Sequence, residues 1–313
     1  MTRALVFPGQ GSQAVGMGRD LAAAFPAARE VFAEVDDALN QHLARLMFEG
    51  PEAELTLTAN AQPALMAVSL AVLKVLECEA GFDLEKEAAF VAGHSLGEYS
   101  ALAAARAFGV AVAARLLKRR GAAMQRAVPV GMGAMAALLG LDLDAARAIA
   151  ETAAGDDICA AANDNGAGQV VVSGHRTAVE RALAEAAARG ARRSIMLQVS
   201  APFHCALMAP AAHEMADALD EIAIVPPVVP VVANVTAAPV SDPVEIRRLL
   251  VEQVTSLVRW RECVLAMTAR GVTELVEIGA GKVLTSLAKR IDRELAASAV
   301  GTPADIKAFV KAR

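Results

Sequence analysis

The chain has 313 residues, of which 55% are hydrophobic and only 4% aromatic, so it is long enough to bury a large aliphatic core. A formal net charge of −5, with no basic block interleaved with aromatic residues, argues against nucleic-acid binding. No secretory signal is visible, the longest apolar stretch (64–76) is too short to span a bilayer, and the four cysteines lack metal-site spacing. We therefore expect a cytoplasmic protein without membrane, metal or disulfide.

The chain begins with a predicted buried strand over 3–8 and the glycine-rich loop Gly9-Gln10-Gly11-Ser12-Gln13. The spacing of Gly9, Gly11 and Gly16 misses the G-x-G-x-x-G pattern of dinucleotide sites. Helices are predicted over 19–34 and 36–48, and Pro63 is expected to open an amphipathic helix over 64–76, because proline suits a first helical turn.

The segment Gly93-His94-Ser95-Leu96-Gly97 lies between a short apolar run and a helix-forming run. The pattern G-x-S-x-G is typical of a nucleophile elbow, a sharp turn from strand to helix that exposes a serine hydroxyl. The glycines keep side chains out of the turn, and the helix N-terminus offers free N–H groups where an oxyanion would form. The sequence therefore predicts Ser95 as a nucleophile.

After a helix over 110–126, the segment 131–199 has its own pattern. Its predicted elements are strands over 133–141, 157–162, 169–173 and 192–199 and helices over 143–153 and 177–189. This β-α-β-β-α-β order is that of the ferredoxin-like unit.

The rest of the chain continues the alternation. We predict helices over 208–221 and 243–254, a helix opening near 259–261, a strand over 274–278, a helix over 282–295 and a terminal helix, with an extended stretch over 225–232. Strands alternating with helices predict an α/β fold with a parallel sheet. The expected domains are a large one (1–130 and 200–313) and an inserted small one (131–199).

A serine nucleophile needs a general base, usually histidine. His94 adjoins Ser95, but neighbouring side chains on an extended chain point to opposite sides. His204 lies in a loop at the junction of the two predicted domains, where clefts form, and position favours it as the base. In the α/β-hydrolase order the acid of a triad would lie between Ser95 and His204, and the candidates there, Asp142, Asp144, Asp156, Asp157 and Glu180, fall in the insertion, which counts against a simple lipase or esterase.

Several blocks of the sequence together resemble the malonyl-CoA:acyl-carrier-protein transacylase family of fatty acid synthesis, within the acyltransferase superfamily. The blocks are Phe7-Pro8-Gly9-Gln10-Gly11-Ser12-Gln13, Thr58-Ala59-Asn60-Ala61-Gln62-Pro63-Ala64-Leu65, Gly93-His94-Ser95-Leu96-Gly97-Glu98-Tyr99-Ser100, Arg120-Gly121-Ala122-Ala123-Met124-Gln125, Gly168-Gln169-Val170-Val171-Val172-Ser173-Gly174, Phe203-His204, Asn234-Val235-Thr236-Ala237 and Glu252-Gln253-Val254. They cover nearly the whole chain in order. The resemblance implies an α/β-hydrolase-like core with a ferredoxin-like insertion.

The resemblance also implies residue roles. Ser95 would be the nucleophile and His204 its base, with the imidazole oriented by a main-chain carbonyl near Gln253. The backbone N–H groups of Gln10 and Leu96 would form the oxyanion hole.

Three further positions match substrate-binding residues of the family. Arg120 would bind the free carboxylate of a malonyl group, although its neighbours Arg115, Lys118 and Arg119 have the ordinary interpretation of a solvated helix face. Gln62 would line the pocket. Phe203 would wall it where a branched acyl group places its methyl, which favours malonyl over methylmalonyl.

The implied activity is transfer of malonyl from malonyl-CoA to the phosphopantetheine thiol of acyl carrier protein, by a ping-pong route through malonyl-serine and with no bound cofactor. Because the carrier of the family is acidic, the pairs Arg192-Arg193 and Lys289-Arg290 are candidate docking residues, with ordinary solvated cations as the alternative. We expect a monomer.

Three alternatives remain open from the sequence. They are a hydrolase with water as acceptor, an acyltransferase of polyketide synthesis or malonate decarboxylation, and a non-catalytic module that binds carrier protein or acyl-CoA. Ala280 departs from the proline that is frequent in the family at this turn.

Overall fold

Two β-sheets organise the chain in this computed structural model, which describes residues 2–313. The first contains β1 (Arg3–Phe7), β2 (Phe90–Gly93), β7 (Val231–Val232), β8 (Pro239–Val240), β9 (Glu274–Ile278) and β10 (Ala296–Val300). Its order is β10-β9-β1-β2-β7-β8, with every neighbouring pair parallel except β7 and β8. The predicted α/β class with a parallel sheet is confirmed.

The second sheet is antiparallel throughout. It contains β3 (Gly133–Leu139), β4 (Cys159–Asp164), β5 (Gln169–His175) and β6 (Arg193–Met196), in the order β4-β5-β3-β6. Alternate residues of β3 point to different cores. Ala134, Ala136 and Leu138 pack in a local cluster, whereas Met135 and Ala137 join the main core of the molecule.

Helices cover both sheets. They are α1 (Arg19–Ala24), α2 (Pro26–Leu39), α3 (Leu43–Glu49), α4 (Glu52–Leu55), α5 (Thr58–Ala80), α6 (Leu84–Glu87), α7 (Leu96–Ala104), α8 (Val110–Arg126), α9 (Leu143–Ala154), α10 (Arg176–Ala188), α11 (Ala209–Asp220), α12 (Pro243–Gln253), α13 (Trp260–Thr268), α14 (Val283–Ile291) and α15 (Pro303–Ala312). The central strands β1 and β2 are buried beneath them, so the loops after these strands are held on a rigid base.

Helix α5 corrects two expectations. It begins at Thr58, so Pro63 lies inside the helix and not at its first turn. Its opening turns carry buried polar residues, Thr58, Asn60 and Gln62, which a search for apolar periodicity passes over. At 23 residues it has the length and apolar composition of a membrane span, but most of it is buried between other helices, as in a core helix.

Other boundaries also differ from the predictions. The first predicted helix is divided at Pro26, which opens α2, and the second at Asn40, whose φ of 45° ends that helix. The predicted helix over 282–295 ends at Ile291, and the alanine-rich segment Ala296–Val300 forms edge strand β10 beside β9. Alanine favours helix locally, so here pairing with β9 overrides propensity.

Candidate active site

Ser95 occupies the turn between β2 and α7, with φ 53° and ψ −109°. This positive φ is unusual for a residue with a side chain and marks a strained turn. The flanking glycines are sterically required. A Cβ on Gly93 would lie 1.9 Å from the backbone of Gly97, and one on Gly97 would lie 2.3 Å from the carbonyl oxygen of Phe7. The turn therefore lifts Ser95 at the carboxyl end of a central parallel strand, where open α/β sheets bind ligands.

The structure brings His204 to Ser95. The hydroxyl Oγ of Ser95 lies 2.8 Å from Nε2 of His204, and Nδ1 of the same ring lies 2.9 Å from the backbone carbonyl oxygen of Gln253. Because a carbonyl can only accept, Nδ1 carries the ring proton and Nε2 is free to accept from Ser95. Burial and the Arg120 guanidinium lower the pKa of His204 to about 3, so the imidazole is neutral near pH 7.

The side chain of Arg120 extends from α8 towards Ser95 and is 1% exposed. Its guanidinium donates from Nη1 to Gln62 Oε1 (2.8 Å) and from Nη2 to Gln253 Oε1 (2.9 Å) and Ser95 Oγ (3.2 Å). All three acceptors are neutral, and within residues 2–313 no carboxylate forms an ion pair with it. Burial lowers the pKa of Arg120 but arginine stays charged, so the site holds a desolvated cation that would favour an anionic ligand.

A cavity of about 300 Å³ opens above these groups, between the first sheet and the second. It is lined by Gln10, Gly11, Gln13, Thr56, Gln62, His94, Ser95, Leu96, Arg120, Met124, Met135, Asn163, Leu197, Gln198, Val199, Phe203 and His204. The backbone N–H groups of Gln10 and Leu96 donate to no protein group anywhere in residues 2–313. They are thus available to a bound ligand.

Residues 4–304 match the family model of the acyl transferase domain. The chain is 47% identical to the malonyl CoA-acyl carrier protein transacylase of Escherichia coli K12. This match extends over 308 residues and covers 98% of each chain. It is 44% identical over 309 residues to the Bacillus subtilis (strain 168) protein of the same name, covering 98% of this chain and 96% of that one. The chain belongs to the malonyl CoA-acyl carrier protein transacylase family. It is an acyltransferase.

Solved structures of the family share the whole fold. The acyl-carrier-protein-S-malonyltransferase of Bartonella henselae superposes with a TM-score of 0.97 at 55% identity, over 100% of this chain and 99% of that one. A malonyl-transacylase solved in complex with a type II polyketide synthase acyl-carrier protein superposes with a TM-score of 0.96 at 44% identity, over 100% of both chains.

No role for Asn234 or Glu98 follows from the sequence, although both lie in blocks that resemble the family. Asn234 accepts the backbone N–H of Ser95 at its Oδ1 (2.8 Å) and donates from Nδ2 to the carbonyl of Gly93 (2.8 Å). Glu98, on the first turn of α7, accepts from the backbone N–H of Asn234 and from Nε2 of Gln253, each at 2.9 Å. The sequence signal for Glu98 is a single acid in the helix-forming run that follows Gly97. The sequence signal for Asn234 is its place after an extended apolar stretch, at the start of the block Asn234-Val235-Thr236-Ala237 that resembles the family.

The four predicted docking residues, Arg192, Arg193, Lys289 and Arg290, are exposed and lie outside the cavity. Two of these positions can be placed near the turn 164–168. A Cβ on Gly140, which packs on Gly168, would lie 3.0 Å from Cβ of Arg192, and Gly166 lies against Ile291, next to Arg290. Asn165 of this turn lies 2.9 Å from Nε2 of His94, the neighbour of Ser95.

Proposed function

We propose that this acyltransferase moves malonyl from malonyl-CoA to the phosphopantetheine thiol of acyl carrier protein, for fatty acid biosynthesis, through a malonyl-serine intermediate. One observation carries the proposal. The desolvated Arg120 cation lies 3.2 Å from Oγ of Ser95, so an acyl group on that oxygen starts within reach of a carboxylate-binding group. The names of the family members given above support the same substrates.

In the first half-reaction, Oγ of Ser95 attacks the thioester carbonyl while Nε2 of His204 takes the hydroxyl proton. The N–H groups of Gln10 and Leu96 donate to the oxyanion, each contributing about 3 kcal/mol of transition-state stabilisation. As the tetrahedral species collapses, the C–S bond breaks and coenzyme A leaves as the thiol with the proton from His204. Malonyl-Ser95 remains.

In the second half-reaction, the carrier thiol enters the cavity and gives its proton to His204. Its sulfur attacks the ester carbonyl, the same N–H groups hold the oxyanion, and the C–O bond to Ser95 breaks. His204 returns the proton to Oγ, which restores the free enzyme and gives ping-pong kinetics. Every group in this sequence belongs to the protein or its substrates, so the proposed reaction uses no bound cofactor or metal.

We assign the two sheets to an α/β-hydrolase-like core (1–130 and 200–313) and a ferredoxin-like insertion (131–199). The antiparallel order β4-β5-β3-β6 supports this, because it corresponds to strand order 2-3-1-4 within the β-α-β-β-α-β segment. We further propose that the enzyme acts in the cytoplasm as a monomer.

The test is intact-mass analysis after brief incubation with malonyl-CoA, for the wild type and Ser95→Ala, with and without the phosphopantetheinylated carrier. We expect a malonyl adduct on the wild type alone and its discharge by the carrier. Release of free malonate without transfer would indicate a hydrolase. Absence of both adduct and turnover would reduce the protein to a binding module.

A further inference from the structure

Glu98 is a buried carboxyl group with no part in the steps above. It is 3% exposed, and within residues 2–313 it forms no ion pair. Its Oε2 accepts two hydrogen bonds, from the backbone N–H of Asn234 and from Nε2 of Gln253. Burying a carboxyl group costs folding free energy unless hydrogen bonds compensate for the lost water. The hydrogen-bond partners of Glu98 therefore indicate its role.

Both partners hold groups of the proposed reaction. Asn234 bonds the N–H of Ser95 and the carbonyl of Gly93 and so fixes the elbow from both sides. Gln253 orients His204 through its backbone carbonyl, and its side chain accepts from Arg120 at Oε1 while donating from Nε2.

We propose that Glu98 is a positioning residue for acyl transfer: its carboxylate orients the amide of Gln253 so that Oε1 faces Arg120, and ties Asn234 to the Ser95 turn. A carboxylate only accepts hydrogen bonds, so the amide nitrogen of Gln253 must face it and the amide oxygen must face the guanidinium. A neutral amide at position 98 could also donate. It would no longer exclude the flipped Gln253, so the orientation of the amide would be left to the donor-only guanidinium of Arg120 and to the weaker acceptors of Nε2, Ser95 O and Asn234 Oδ1. This inference rests on the proposed function.

Glu98 is also the counter-charge of Arg120. The guanidinium contacts only neutral acceptors, and the path Arg120–Gln253–Glu98 links the two charges through one amide. A negative Glu98 polarises that amide and strengthens its bond to the cation. Protonation of Glu98 removes both the charge and the acceptor-only character, so it should loosen Arg120 as well as the elbow.

The carboxyl group of Glu98 should ionise within a pH range in which the enzyme can be assayed. Burial raises the pKa of Glu98 to about 7, against the hydrogen bonds from Asn234 and Gln253 and the charge of Arg120. The other titratable groups near Glu98 are Tyr99 on its own helix and Cys263 on α13. Burial raises the pKa of Tyr99 to about 12 and raises that of Cys263 as well, so both are neutral near pH 7.

The experiment measures single-turnover acylation by malonyl-CoA and by acetyl-CoA as a function of pH, using the full chain. The variants are Glu98→Gln and a matched control, Glu277→Gln. Glu277 is equally buried and accepts the backbone N–H groups of Leu284 and Thr285 at the start of α14, outside the cavity lining.

We expect the wild-type rate to fall as the pH drops through about 7, more steeply for malonyl than for acetyl. Glu98→Gln should lose this dependence and run about tenfold below the wild-type plateau, since charge-assisted hydrogen bonds are roughly twice as strong as neutral ones. Malonyl transfer should suffer more than acetyl transfer, because Arg120 serves only the acyl group with a carboxylate. Glu277→Gln should keep the wild-type pH profile.

A Glu98→Gln enzyme with the wild-type rate and profile would overturn the proposal, as would an equal effect of Glu277→Gln. If Glu98→Gln does not fold, a wild-type malonyl-to-acetyl ratio that stays constant through this pH range would overturn it, and a falling ratio would support it. Failure of the wild type itself to become acylated would instead refute the proposed function.

Discussion

Arg120 donates from 3.2 Å to Oγ of Ser95, the same oxygen that lies 2.8 Å from Nε2 of His204. The proposed nucleophile, its base and the cation thus meet at one atom. An acyl chain bonded to that atom must be short if its far end is to return to the guanidinium. This geometry suits a three-carbon acyl group that ends in a carboxylate.

The first prediction concerns selectivity for the carboxylate. Arg120→Ala should lower kcat/KM for malonyl-CoA by about a hundredfold or more, because two charge-assisted hydrogen bonds of about 1.5–3 kcal/mol each are lost. It should affect acetyl-CoA far less. Arg120→Lys should recover only part of the loss, because lysine cannot form two parallel hydrogen bonds.

Steady-state kinetics with both thioesters provides the measurement. The control is Arg119→Ala, because this neighbouring arginine is partly exposed and pairs with Glu221 and Glu214. Equal losses for malonyl and acetyl in Arg120→Ala would remove its assigned role.

A second prediction concerns branched substrates. Phe203 is 9% exposed and lines the cavity directly before His204. Phe203→Ala should raise methylmalonyl transfer relative to malonyl by about tenfold, the usual value of one methyl group in a tight pocket. Competition between the two thioesters measures this ratio. Phe309→Ala is the control, because Phe309 has the same exposure but lies on α15. Comparable wild-type rates for both thioesters would contradict the assignment.

The elbow glycines give a stability prediction. Gly93→Ala places a Cβ 1.9 Å from the backbone of Gly97, so strand and helix must separate, at a cost of about 1–3 kcal/mol or more. We expect a lower Tm and loss of acylation of Ser95. Gly109→Ala is the control, because a Cβ there meets nothing within 4 Å and its φ is −75°. An unchanged Tm for Gly93→Ala would show that the turn adapts.

The four candidate docking residues give a prediction for the carrier protein. Reversing the charges of Arg192, Arg193, Lys289 and Arg290 to Glu should raise KM for the carrier by about tenfold and leave KM for malonyl-CoA unchanged, because complementary charge steers association of the two proteins. The effect should shrink with added salt. Lys311→Glu is the control, since this exposed residue lies on α15. A carrier KM that does not move would leave these residues as ordinary solvated cations.

Local sequence patterns predict much of the fold and part of the site of this protein. The spacing of Gly93, Ser95 and Gly97 predicts the elbow, since a strand, a tight turn and a helix are specified within a few residues. The alternation of strands and helices predicts the parallel sheet, because strand crossovers require intervening helices. The order of elements over 131–199 likewise anticipates the second sheet. The position of His204 at the predicted domain junction and the family resemblance both favour it as the base, and the structure brings it to Ser95 across 109 residues of chain.

Only the tertiary structure determined strand β10 and the partners within the buried hydrogen-bond network. The segment Ala296–Val300 is a strand only because β9 offers it a parallel partner, which no local propensity encodes. Glu98 and Asn234 matter through hydrogen bonds that join residues 136 and 139 positions apart along the chain, from Asn234 to Glu98 and from Ser95 to Asn234. A single sequence records the residue types in such a buried network, but not which donor meets which acceptor. That pairing exists only once the chain has packed and excluded water, because only then must each buried polar group find its partner within the protein.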